Sequence, residues 1–105
     1  MGIKHEIHHG LSLELARKAI DKAMEAYGAR FVDYDPRFDW KTEVLGQFSF
    51  RARGVGVEGE IEIIGPEIYV DVEVPFILRI FRGKAIDVID REVRKWVEKA
   101  RNGEI

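Results

Sequence analysis

Cysteine is absent from this 105-residue chain, which removes disulfide frameworks, thiolate metal sites and thiol nucleophiles from consideration. Long apolar runs are missing as well. The longest, Phe76–Leu78, has three residues, against the ~20 needed to span a bilayer. The N-terminus lacks an apolar leader region, so secretion is not expected, and a cytoplasmic location is. An excess of positive charge is also missing: 17 Lys and Arg stand against 19 Asp and Glu, a net charge of −2. Nucleic-acid binding usually shows as a strongly basic balance, so it is not expected here.

What is present is 46% hydrophobic and 34% charged residues, the composition of a globular protein. The length suits a single domain, residues 1–105. Ile3, His5 and Ile7 alternate with Lys4, Glu6 and His8, the period of a strand. After His9-Gly10, Ser12 is a natural N-cap with Glu14 in the first turn. Leu13, Ala16, Ala19, Ile20, Ala23, Met24 and Tyr27 then recur at helical spacing. Gly28 fits the C′ position, so the helix is expected over 13–27. Phe31, Val32 and Tyr34 have β propensity, and Asp35-Pro36 predicts a turn.

From Glu43 onward the alternation is strong. Val44, Phe48, Phe50 and Ala52 share one face, Gln47, Ser49, Arg51 and Arg53 the other. Gly54-Val55-Gly56 predicts a hairpin or bulge. Val55, Val57, Ile61 and Ile63 then face inward, and Glu58, Glu60 and Glu62 outward. Past Gly65-Pro66, Ile68, Val70, Val72 and Val74 point in, while Tyr69, Asp71 and Glu73 point out. This is an antiparallel meander with one dry face, in which Arg51 and Arg53 are expected near the glutamates of the next strand. Ile86, Ile89, Val93, Trp96, Val97 and Ala100 form a helical stripe over about 84–101. The fold class expected is α+β, in the order β-α-β-β-β-α, with two amphipathic helices on one face of the sheet. A short extra strand near Phe31 would fit this scheme. Trp96 is expected in the core, whereas Trp40 follows a turn and is free to be exposed.

Chemistry-bearing constellations are weak. His5, His8 and His9 are too few and too divergent on a strand for an open metal site, and no metal or other cofactor is expected. Gly54-Val55-Gly56-Val57-Glu58-Gly59 has the letters of a phosphate-binding loop, but a strand continues where a helix should open. No G-x-S-x-G elbow and no Ser/His/Asp set occurs, so catalysis is not expected.

The candidate interaction surface is the run Pro75-Phe76-Ile77-Leu78-Arg79-Ile80-Phe81-Arg82-Gly83-Lys84. Five large apolar residues (76, 77, 78, 80 and 81) fall within six consecutive positions, among three cations, with no acid between Glu73 and Asp87. Two readings stand side by side. In one, the run is a buried connector whose cations reach outward. In the other, Phe76, Ile77, Leu78 and Phe81 meet an apolar surface while Arg79, Arg82 and Lys84 meet anionic groups.

The order of motifs resembles the polyhydroxyalkanoic acid system protein family, small bacterial proteins whose genes accompany those of polyester synthesis and storage granules. The resemblance runs from Ile3, Ile7 and His9 through Leu11, Ala16 and Arg17. It continues with Phe50, Gly54, Val55, Val57, Gly59, Ile61 and Ile63, and ends on Pro75–Lys84, where the family has a similar G-F-L-L-R-P-F-K-G run. Ile80 stands where that run has proline. The resemblance implies a non-enzymatic accessory role in polyhydroxyalkanoate metabolism, with the granule surface or granule proteins as partners and no established catalytic site. Two further expectations come from the residues alone. One is a carrier enclosing an acyl chain between sheet and helices. The other is a self-associating module, a homodimer through 76–84.

Overall fold

The computed structural model describes residues 2–52, 54–75, 80 and 82–105. Strand β1 (Gly2–His8) leads to helix α1 (Leu13–Arg30), a 3-10 turn at Val32–Tyr34 and strand β2 (Arg37–Trp40). The hairpin strands β3 (Leu45–Ala52), β4 (Val55–Ile64) and β5 (Glu67–Glu73) follow, then helix α2 (Arg82–Arg101). The strands form one sheet in the order β1-β5-β4-β3-β2, and every neighbouring pair is antiparallel. The fold is α+β, as the patterning predicts. The extra strand expected near Phe31 is absent there, where the chain is a helix cap and a 3-10 turn; it lies further on as β2, past the Asp35-Pro36 turn.

The alternation read from the sequence places the core. Ile7, Phe48, Phe50, Val57, Ile61, Ile63, Ile68, Val70, Val72 and Val74 are buried on one face of the sheet. Against them pack Ala16, Ala19, Ile20 and Ala23 of α1 and Ile86, Ile89, Val93, Val97 and Ala100 of α2. Fully burying one such Val or Ile contributes roughly 1.5–3 kcal/mol, so this one-sided layer dominates the fold energetically. The alanines of α1 let it lie close to α2, the element it contacts most. Ser12 caps α1 as expected, its hydroxyl accepting from Leu15 N–H at 3.2 Å.

Helix α1 does not stop at Gly28. It continues to Arg30, and Phe31 N–H donates to Tyr27 O at 3.0 Å. Ring contacts hold the extra turn: Tyr27 and Phe31 lie 4.8 Å apart and Phe31 stacks on Tyr34 at 5.9 Å. These contacts offset the cost of a helical glycine, about 1 kcal/mol relative to alanine. Asp35 then turns the chain with φ of 49°, and Pro36 delivers it into β2.

Trp40, on β2, is half-buried rather than free. Its indole Nε1–H donates to Asp21 of α1 at 2.7 Å, the Arg17 guanidinium lies 4.2 Å from its ring centroid, and Phe38 meets it edge-on at 5.3 Å. Trp96 packs on the core's edge with Lys99 and Lys95 near its ring, at 5.3 and 5.7 Å. Its Nε1–H is buried without an acceptor among the described residues.

Candidate functional site

The stretch singled out in the sequence falls largely outside the described residues: Phe76, Ile77, Leu78, Arg79 and Phe81 all do, and of Arg82 only its place as the first residue of α2 is described. The neighbours that are described point outward. Ile80 is 76% exposed, more than any other large apolar side chain described, and Gly83 and Lys84 are exposed as well. Val74, just before the stretch, is buried at 3%. Ile86, just after the stretch, is buried as well, at 8%. Between them, at least one large apolar residue and one cation stand in solvent.

The sheet face opposite the helices is bare among the described residues, and it is acidic. Register sets Glu58 opposite Glu73 and Glu60 opposite Asp71 across β4 and β5, with Glu62 opposite Tyr69. Like charges facing across a ladder oppose folding slightly. Of the two arginines expected near the glutamates, Arg51 is the one that lies among the described residues. Ser49 stands opposite Glu58, while Arg51 stands opposite Gly56 and donates to Gly54 O at 3.0 Å; Arg53 lies outside the described residues. A shallow concavity of about 800 Å³ covers this face, bordered by Arg37, Asp39, Lys41, Gln47, Glu60 and Asp71. Its cations already have partners, Arg37 with Asp35 at 3.4 Å and Lys41 with Asp39 at 2.9 Å. Such a face repels anions. It is also the wrong lining for an acyl chain, and the gap under α1, between Met24, Tyr27 and Phe48, is only about 50 Å³. Enclosing a small molecule takes ~300–1,000 Å³.

Gly54–Gly59, with its phosphate-loop letters, is a turn running into β4 and opens no helix. Gly59 makes room for an aromatic ring instead. The Phe48 ring lies over it, where a Cβ would collide with the ring and stand 2.8 Å from Asp71 O. Phe38 covers Gly46 in the same way, 2.6 Å from where a Cβ would be. Two rings thus fill the space that two glycines leave.

The histidines diverge as the strand pattern predicts, and each finds a separate partner. His8 Nδ1 lies 2.8 Å from Glu67 Oε1 on the open face, and the Glu67 carboxyl is held below its usual range mainly by that contact. His5 Nε2 lies 2.5 Å from Asp90 Oδ1 of α2, and Arg94 donates to both Asp90 oxygens at 2.9 and 3.0 Å. Burial pushes the Asp90 carboxyl up, but the His5 and Arg94 hydrogen bonds outweigh it, and its pKa is lowered. His9 is fully buried. Leu11 N–H donates to its Nδ1 at 2.8 Å, so Nε2 carries the proton and donates to Gly65 O at 2.8 Å. Arg101 donates to its carbonyl at 2.9 Å. The alternation put His5 and His8 on opposite faces, whereas the three partners come from distant segments and left no signal in the local pattern. Among the described residues no group of three His, Asp or Glu could hold a metal ion.

A five-stranded antiparallel sheet, helices on one face and an acidic surface on the other, defines a small two-layer α+β protein. Residues 3–97 match the model of the family described as "Putative polyhydroxyalkanoic acid system protein", and the chain belongs to that family. A search among curated proteins gave no match. None of the described helices is long and apolar enough to cross a membrane.

Proposed function

We propose that this chain is a non-catalytic accessory protein of polyhydroxyalkanoate storage-granule metabolism, acting in the cytoplasm and docking on the granule surface or its proteins through residues 76–84. Family membership over 3–97 supports the setting. The single observation that supports the contact is Ile80, 76% exposed in a stretch whose Lys84 is exposed too. Phe76, Ile77, Leu78 and Phe81 would add apolar area, and Arg79, Arg82 and Lys84 would meet an anionic coat. The acidic sheet face disfavours any docking in which it meets the same coat, because like charges would be brought together as water is expelled.

Co-sedimentation with polyhydroxybutyrate particles, beside hydrophilic particles of equal area, tests the reading. Retention on the polyester alone is expected. Ile80→Ser should weaken it at any salt, whereas Lys84→Glu should weaken it chiefly at low salt. Failure of the unaltered chain to bind the polyester or a granule-protein extract would remove the granule reading. Binding that survives Phe76→Ser, Ile80→Ser and Phe81→Ser together, in a protein that keeps its circular dichroism, would move the contact elsewhere.

A further inference from the structure

The sheet has two edges, and they are built differently. The β2 edge is four residues long, Pro36 precedes it, and Arg37 and Asp39 on it are engaged by Asp35 and Lys41. Short length, proline and charge are the usual ways of blunting an edge. The β1 edge has no proline and no bulge. All seven residues, Gly2–His8, pair with β5 in unbroken register. His9 N–H donates to Pro66 O at 2.8 Å, continuing that register by one residue. Alternation then turns the backbone groups of Ile3, His5 and Ile7 toward β5, and those of Gly2, Lys4, Glu6 and His8 toward the side that is open among the described residues.

The residues on this edge are self-complementary. Ile3-Lys4-His5-Glu6-Ile7 reads as its own antiparallel partner about His5: isoleucine faces isoleucine, lysine faces glutamate, histidine faces histidine. We propose that the open edge of β1 pairs with β1 of a second copy about a twofold axis at His5, making one continuous sheet. In this register Lys4 of each copy stands opposite Glu6 of the other, and Gly2 opposite His8. These are the positions whose N–H and C=O groups point outward, so each pair exchanges two hydrogen bonds. Opposite charges at facing positions favour the register. A shift by one residue would set the two strands' core faces on opposite sides of the joined sheet, and a shift by two in either direction breaks the lysine–glutamate match. The contact is isologous and closes at two copies. It is independent of the docking role given to 76–84, and it uses a different surface.

Sedimentation equilibrium of the full chain should show a mass rising with concentration toward twice 12.1 kDa. Lys4→Glu and Glu6→Lys should each weaken association by about tenfold, since each turns two symmetry-related attractions into repulsions. The double variant Lys4→Glu with Glu6→Lys should restore it. Because the chain has no cysteine, His5→Cys supplies a second readout. Facing positions in a non-hydrogen-bonded pair lie ~4.5 Å apart at Cα, within disulfide reach, so mild oxidation should link two copies. Glu6→Cys, displaced from its own symmetry mate, should link far less. A monomer at every concentration, a dimer that the single charge variants leave unchanged, a swap that fails to rescue, or equal cross-linking at positions 5 and 6 would each overturn the proposal.

Discussion

His9 and Gly65 meet through a hydrogen bond of 2.8 Å although 56 positions separate them in the chain. The contact ties the β1–α1 junction to the β4–β5 turn, and it works only with a neutral imidazole, because Nδ1 must accept from Leu11 N–H. Protonation would set two donors against each other. Burial lowers the His9 pKa from 6.5, with the neighbouring His8 and Arg101 adding to the effect against the opposing pull of Gly65 O and Glu67.

A pH dependence of stability follows, with a definite sign. In the unfolded chain His9 takes a proton at its ordinary 6.5, and in the folded chain only at lower pH. Between those values the unfolded state holds more protons, so stability falls as pH falls. The urea midpoint should drop between about pH 7.5 and pH 5.5, and His9→Ala should flatten that slope while costing about 1–3 kcal/mol at neutral pH. Asp90 does not confuse the comparison: its carboxyl titrates below its ordinary 3.8, outside this window.

Gly59→Ala is expected to be one of the more damaging single-methyl additions. The new Cβ would strike the Phe48 ring and crowd Asp71 O, which belongs to the ladder and cannot swing away. A cost of about 1–3 kcal/mol is expected by urea titration. Gly46→Ala, where the obstacle is Phe38 on the edge strand, should cost less.

The two tryptophans should respond differently to phenylalanine. Trp40→Phe removes a donor bonded to Asp21 at 2.7 Å and should cost about 1 kcal/mol. Trp96→Phe removes a buried N–H that has no acceptor among the described residues. Relief of that unmet donor should offset the lost ring area, leaving stability within about 0.5 kcal/mol. Chemical denaturation of both variants, followed by circular dichroism, measures the contrast.

Glu60→Lys should stabilise the fold. It converts the facing Glu60–Asp71 positions from like to opposite charge, worth roughly 0.2–1 kcal/mol. The gain should shrink at high salt, because the face is open to solvent. An unchanged urea midpoint at low salt would mean the carboxylates do not sense one another.

Period-two alternation made β3, β4 and β5 legible in advance, down to which glutamates face water, because a one-sided sheet writes its burial into every second residue. Ser12 marked the start of α1 for an equally local reason. What stayed hidden depended on partners far along the chain. Strand β2 has only Phe38 and Trp40 on its inner side, too little pattern to register, and it is held because Gly46 makes room for the Phe38 ring and Asp21 and Arg17 of α1 engage Trp40. The extra turn of α1 past Gly28 rests on Tyr27, Phe31 and Tyr34 gathering beyond the expected end. The stretch 76–84 was legible as a compositional anomaly, but its exposure was not, because apolar residues among cations suit a buried connector and a docking surface equally; Ile80 and Lys84 at its described positions are exposed.

The pairing of β1 with β5 also sets the order in which the chain can assemble. Ile7 has its ladder partner in Ile68, and His5 has its ring contact in Asp90, so a strand made before the whole meander is among the last to find its place. Throughout synthesis of the meander it must wait with its apolar face uncovered. Contacts so distant in sequence slow folding, and the waiting strand has the self-complementary edge described above. Two nascent or refolding chains can therefore meet through β1 before either is complete, and crowding on one message would favour that encounter.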